Sequence, residues 1–122
     1  MNIEVTLPWP PRDLSPNVRV HWSKKAKAAK AYRTACGMLT LVAYQQAKKK
    51  GVRIDPDHAV RLSVEFIPPN RRGYDRDNLV AWMKSGFDGM ADALSLNDRM
   101  FRLDSIAVSD DLAGMVRVGV TQ

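Results

Sequence analysis

The chain is short of cysteine, of histidine and of long apolar runs, and each shortage excludes something. Cys36 is the only cysteine and there are two histidines in 122 residues. No internal disulfide can form, and no Cys/His cluster with zinc spacing is present. No apolar run approaches the roughly 18 residues that a membrane span requires. The first residues, Met1 to Val5, lack the basic start and apolar stretch of a secretory signal. The expectation is therefore a cytoplasmic protein without membrane attachment. Internal repeats, low-complexity tracts and linkers are missing too, and 122 residues suit one compact domain, taken as 1–122. Cys36 sits among helix formers and reads as a small buried side chain. A nucleophilic thiol would need a base and a polarising environment beside it.

What the chain has is positive charge and clear periodicity. Lys and Arg total 19 against 13 Asp and Glu, a formal net charge of +6, which favours a polyanionic partner. Residues 2–7 alternate apolar and polar as a half-buried strand does, and Pro8, Pro10 and Pro11 stop it. An ordered loop over 12–22 follows, in which His21 and Trp22 are ambiguous: they read as packing or loop-anchoring residues, with contact to DNA bases as the alternative. Ser23 is a candidate cap for a helix running to about Lys50, rich in Ala, Lys and Gln. Its first turns carry Lys24, Lys25, Lys27, Lys30 and Arg33, and Gly51 is a natural stop.

Residues 59–67 alternate again, and Pro68-Pro69 ends that strand. Asn70 to Tyr74 form a basic loop with Arg71 and Arg72, and a second helix is predicted from Asp77 to Ala93. Strands at 101–109 and 114–121 are expected to be joined as a hairpin through 110–113. The fold class read from this is α+β, a single domain with one mixed or antiparallel sheet of about four strands and two main helices, in the order β-α-β-α-β-β.

The sharpest chemical feature is Asp75-Arg76-Asp77-Asn78. Alternate side chains of an extended segment share a face, so Asp75 and Asp77 can converge roughly 6–7 Å apart at Cα. Paired carboxylates present hard oxygens that suit Mg²⁺ or Mn²⁺. The structural alternative is that Asp77, opening a helix, caps free N–H groups. On the second helix Leu79, Met83, Phe87, Met90 and Leu94 make an apolar stripe, with Lys84 and Asp88 on the other side. In a straight helix Lys84 stands two turns above Asp77 and leans back toward it. Its structural alternative is an ion pair with Asp88 four residues on. Asp98, in the short connection before the next strand, is either a third acid returning to the site or a turn residue.

At these residues the chain resembles the RusA family of Holliday junction resolvases. The resemblance covers nearly the whole length. It runs from Leu7-Pro8-Trp9-Pro10-Pro11 through Leu14-Ser15-Pro16-Asn17, Arg19-x-His21-Trp22 and the basic helix with Arg33 to Asp75-Arg76-Asp77-Asn78-Leu79, Lys84, Phe87-Asp88-Gly89 and Asn97-Asp98. By resemblance Asp75, Asp77 and Asp98 are the metal-binding acids and Lys84 the catalytic lysine. The family implies a homodimer, Mg²⁺ or Mn²⁺, and paired cuts in opposite strands of a four-way DNA junction during recombination and repair. Some members have two aspartates where this chain has Asn97-Asp98, and the spacing from Asp77 to Lys84 is about one helical turn longer than in a familiar member. Phosphate contacts are expected from Lys24, Lys25, Lys27 and Lys30 on the first helix and from Arg71, Arg72 and Arg76 beside the acids. The competing expectations are a looser branched-DNA or flap nuclease using the same residues, and a DNA-binding protein without catalysis, in which the acids only cap and turn. A sugar transferase using Asp-x-Asp would need a second substrate domain.

Overall fold

A computed structural model describes residues 2–122. Four strands form one mixed sheet: β1 (Asn2–Pro8), β2 (Val60–Ile67), β3 (Phe101–Val108) and β4 (Met115–Thr121). Helices α1 (Trp22–Lys49), α2 (Arg76–Trp82) and α3 (Lys84–Ala93), with short 3-10 turns at Arg12–Leu14 and Asp98–Met100, complete the fold. Alternation decides the core. Ile3, Val5 and Leu7, then Val60, Leu62, Val64 and Phe66, then Val116, Val118 and Val120 are all buried under the helices. The opposite sheet face carries Glu4, Ser63, Glu65 and Arg117, with Arg117 3.8 Å from Glu4 and 3.2 Å from Glu65 across the strands. Among the described residues no helix is long and apolar enough to cross a membrane.

The sheet order is β1-β4-β2-β3, so the expected β3–β4 hairpin does not form. β4 pairs antiparallel with both β1 and β2, while β3 runs parallel to β2 at the edge. The reason lies in the side chains. β4 buries Val116, Val118 and Val120 completely and takes a central place, whereas most of β3 is exposed. The 109–114 connection arches over the end of β2 instead. It is held there by Ser109 N–H to the Phe66 carbonyl at 2.8 Å and Ala113 N–H to the Pro68 carbonyl at 2.9 Å. A parallel pair needs a crossover, and α2 and α3 supply it.

α1 ends as its glycine predicts. Gly51 has φ 89°, and Gly51 N–H to Lys48 and Val52 N–H to Ala47, both at 3.0 Å, close the two bonds of a Schellman motif. Its start differs from the expectation. The cap is His21, whose Nδ1 accepts from Ser23 N–H at 3.2 Å and lies 2.7 Å from the Ser23 hydroxyl. Ser23 lies inside the first turn.

The single second helix predicted for 77–93 is two helices meeting at an elbow. Met83 N–H is shared between the Leu79 and Val80 carbonyls, each at 3.1 Å, and its ψ of −1° leaves helical geometry. The bend seats Met83 in the core, where its sulfur accepts from the Tyr32 hydroxyl at 3.3 Å. The same hydroxyl is 2.6 Å from the Pro8 carbonyl, tying α1 to the end of β1. Beyond the elbow α3 lies directly on α1, with Gly37 against Gly89 and no side chain between them. Leu79, Met83, Met90 and Leu94 are thereby used up inside the chain.

Candidate functional site

An aromatic frame anchors the Asp-x-Asp segment. Trp9 packs edge-on against Tyr74 at 5.3 Å and against Trp82 at 5.7 Å between ring centres. Trp82 donates its indole N–H to the Pro11 carbonyl at 2.7 Å, and Tyr74 donates to Asn70 Oδ1 at 2.8 Å. Gly73, with φ 70°, takes the left-handed turn before the acids. In this frame Asp75, not Asp77, caps α2: its backbone is extended (φ −80°, ψ 130°) and its Oδ1 accepts from Asp77 N–H at 2.9 Å. That leaves Asp75 Oδ2 without a hydrogen-bond partner among the described residues. Asp77 is exposed in the first turn.

Three surface clefts distribute the residues singled out in the sequence. One, of about 330 Å³, brings Asp75 together with Arg72, Arg12, Asn17 and Asn78. A second, also about 330 Å³, brings Lys84 together with Asp98 over an apolar floor that includes Leu62, Phe101 and Leu103. A third, about 540 Å³, places Lys25 of α1 across from Lys84 and Asp88. Asp77, Arg71, Arg76, Lys24 and Lys27 line none of these three and stand exposed around them. Lys30 lines a separate cleft with Arg33 and Asp92.

The three aspartates do not converge as one set. Among the described residues no three His, Cys, Asp or Glu side chains lie together as an ion would need. Topology explains it. Asp75 follows the C-terminal end of β2, whereas Asp98 precedes the N-terminal end of β3, and the two strands are parallel, with Val60 opposite Phe101. Lys84 opens α3 just past Met83, where α2 ends, and Asp77 lies in the first turn of α2. Lys84 pairs with Asp88 at 3.8 Å.

The chemistry of the pair Asp75 and Asp77 still fits a hard cation. Mg²⁺ is commonly held by one or two carboxylates together with substrate phosphates and water, without an all-protein cage.

Several partners were not legible in the sequence. Arg33 is taken out of any phosphate-binding role by a bidentate pair with Asp92, at 2.7 and 2.8 Å, and those bonds hold the Asp92 carboxyl below its usual range. Lys24 lies 3.9 Å from Asp13. Burial pushes the Cys36 thiol up to about 11, in keeping with an inert core residue. Trp22, read as packing or anchoring, is 76% exposed.

No family model matches the chain. Over 119 residues it is 39% identical to an uncharacterized protein of Xylella fastidiosa (strain Temecula1 / ATCC 700964), an alignment that takes in 96% of this chain and 74% of that protein. The chain belongs to the same family as that uncharacterized protein.

Proposed function

We propose that the protein is a structure-specific endodeoxyribonuclease that resolves four-way DNA junctions by phosphodiester hydrolysis, as the resemblance to the RusA resolvases implies. The observation that carries the reading is the exposed Asp75–Asp77 pair, on an anchored helix start, beside Arg71, Arg72 and Arg76 and within one short helix of the Lys84–Asp98 cleft. Carboxylates alone would repel DNA, and flanking guanidinium groups offset that repulsion and grip phosphate.

Asp75 Oδ2 and Asp77 would hold Mg²⁺ or Mn²⁺ together with phosphate oxygens of the bound strand. Such an ion, when bound, acidifies water and neutralises charge on the scissile phosphate. Asp98 lines the same cleft as Lys84, whose ammonium lies 3.8 Å from Asp88 and stays open to an incoming phosphate. Lys84 in turn stabilises charge that develops during cleavage, as preorganised donors do. Lys25, Lys27 and Lys30 have no ion-pair partner among the described residues and serve as phosphate contacts.

Paired cuts in a nearly two-fold junction call for a two-fold dimer. Because most of the apolar stripe of the second helical segment is consumed in the core, the exposed row Met38, Leu41 and Val42 on α1 is the apolar surface we assign to a second copy. Sedimentation at working concentration tests this, and a strict monomer counts against paired cutting.

The direct experiment incubates an end-labelled four-way junction with the protein, with and without Mg²⁺. Symmetric nicks that need the ion and vanish in Asp75→Asn and Asp77→Asn support the assignment. Undiminished cleavage by both variants removes it. A second reading, a DNA-binding protein without catalysis, is favoured by one observation: Asp75 Oδ1 is already committed to capping. Tight, salt-sensitive junction binding with no nicking under any divalent ion would select that reading.

A further inference from the structure

Trp22 is the most exposed large apolar side chain among the described residues, at 76%, and it has a ring neighbour. His21, fixed by its two bonds to Ser23, packs on it with ring centres 5.5 Å apart and planes tilted by 34°. The indole borders the cleft of about 540 Å³ between α1 and the start of α3. The floor of that cleft is apolar, built by Leu14, Ala26, Ala29 and Ala81, while Lys25 and Lys84 stand at its walls, with Asp88 beside Lys84 at 3.8 Å. The wall also holds Ser85, whose buried hydroxyl has no hydrogen-bond partner among the described residues.

A flat ring platform, an apolar floor and two flanking ammonium groups match the chemistry of a single nucleotide: a planar base and an anionic phosphate. They do not match a paired duplex, whose bases are already stacked. We infer that this cleft takes an unpaired nucleotide, its base stacked on Trp22 and its phosphates between Lys25 and Lys84. The inference rests on the nucleic-acid reading above and deepens it. Lys84 lines both this cleft and the one holding Asp98, so a strand seated on Trp22 leads directly to the proposed cleavage residues. Base–aromatic stacking is tolerant of base identity, so the platform would accept any base.

The test is binding without chemistry. A roughly 12-nucleotide oligothymidylate, within the usual span of single-strand sites, and a blunt duplex of equal length are titrated in EDTA, reading tryptophan emission and anisotropy. The single strand should quench emission in the native protein. Trp22→Ala should lower single-strand affinity about tenfold, the scale of one lost stacking contact, with duplex affinity moving less than about twofold. Trp22→Phe should recover most of the loss, and Lys25→Ala should flatten the salt slope by about 0.7, one released phosphate contact on a single strand. Unchanged single-strand affinity in a folded Trp22→Ala protein overturns the inference, as does an equal loss for duplex. The nuclease reading fails separately: a protein that never nicks junctions but binds single strands through Trp22 keeps this cleft and loses only the catalysis.

Discussion

Gly89→Ala adds one methyl group where α3 meets the main chain of α1. That methyl carbon would stand 2.1 Å from the Arg33 carbonyl oxygen and 3.0 Å from the Gly37 amide nitrogen. Relaxed heavy-atom contact lies near 3.5 Å or beyond, so the helices must part by roughly 1 Å. Neither neighbour is a side chain that can rotate away. Parting them loosens the layer in which Tyr32, Cys36, Met83 and Met90 interlock. Overpacking of this kind costs about 1–3 kcal/mol, and an encounter with main chain belongs at the upper end. The alanine returns roughly 1 kcal/mol through its better helix propensity. The net loss is about 2 kcal/mol, or on the order of 8 °C in Tm for a domain this size. Urea unfolding followed by circular dichroism measures it as a lower midpoint at constant slope. Gly37→Ala is the internal control: its methyl carbon would meet the Gly89 carbonyl oxygen at 3.1 Å. A shift of a few tenths of an ångström there is nearly offset by propensity, giving a change under about 1 kcal/mol. A Gly89→Ala protein as stable as the native chain would refute the close crossing.

Asp75→Ala should cost about 1 kcal/mol by removing the cap of α2, while Asp75→Asn, which keeps a capping oxygen, should stay near native stability; chemical denaturation of the two separates capping from any part in cleavage. Cys36 should resist alkylation at pH 8 until the chain unfolds, because its thiol is buried and its titration is pushed up to about 11; rapid labelling of the folded protein would contradict its place in the core. Arg33 holds the folded Asp92 carboxyl below its ordinary 3.8, so the stability from that pair is complete above this value and drains away as pH falls through the lower folded one. Acid titrations of the native protein and Asp92→Asn should therefore separate at neutral pH and converge in strong acid, and parallel curves throughout would exclude the linkage.

The strands and the long helix were readable because their signals are local. Alternation at 2–7 and 59–67 marks a buried face, and Gly51 marks a helix end whatever surrounds it. Strand neighbours were not readable. Periodicity says which face of a strand is buried but not which strand lies beside it, so two strands close in sequence looked like a hairpin although β2 separates them. The break at Met83, whose sulfur accepts from Tyr32 some fifty residues earlier in the chain, falls at a residue that is neither glycine nor proline. At the site, residue type and resemblance mark Asp75, Asp77, Asp98 and Lys84, and all are exposed. Their grouping is a matter of topology, which sets Lys84 with Asp98 and Asp75 with Arg72. Arg33 and Asp92 lie far apart in sequence, so their pairing left no local trace either.

The position of β3 has a consequence for behaviour at high concentration. An outermost strand offers an uncommitted row of amide and carbonyl groups, an invitation for another chain to add on. Here the invitation is spoiled twice. The pairing slips between Leu62 and Ser63, leaving Asp104 as an extra residue bulging from the ladder, and a bulge bends the strand away from a flat template. Arg102 and Asp104 add exposed charge along the same edge, so fibrous accretion is discouraged at the very margin that the crossover leaves open.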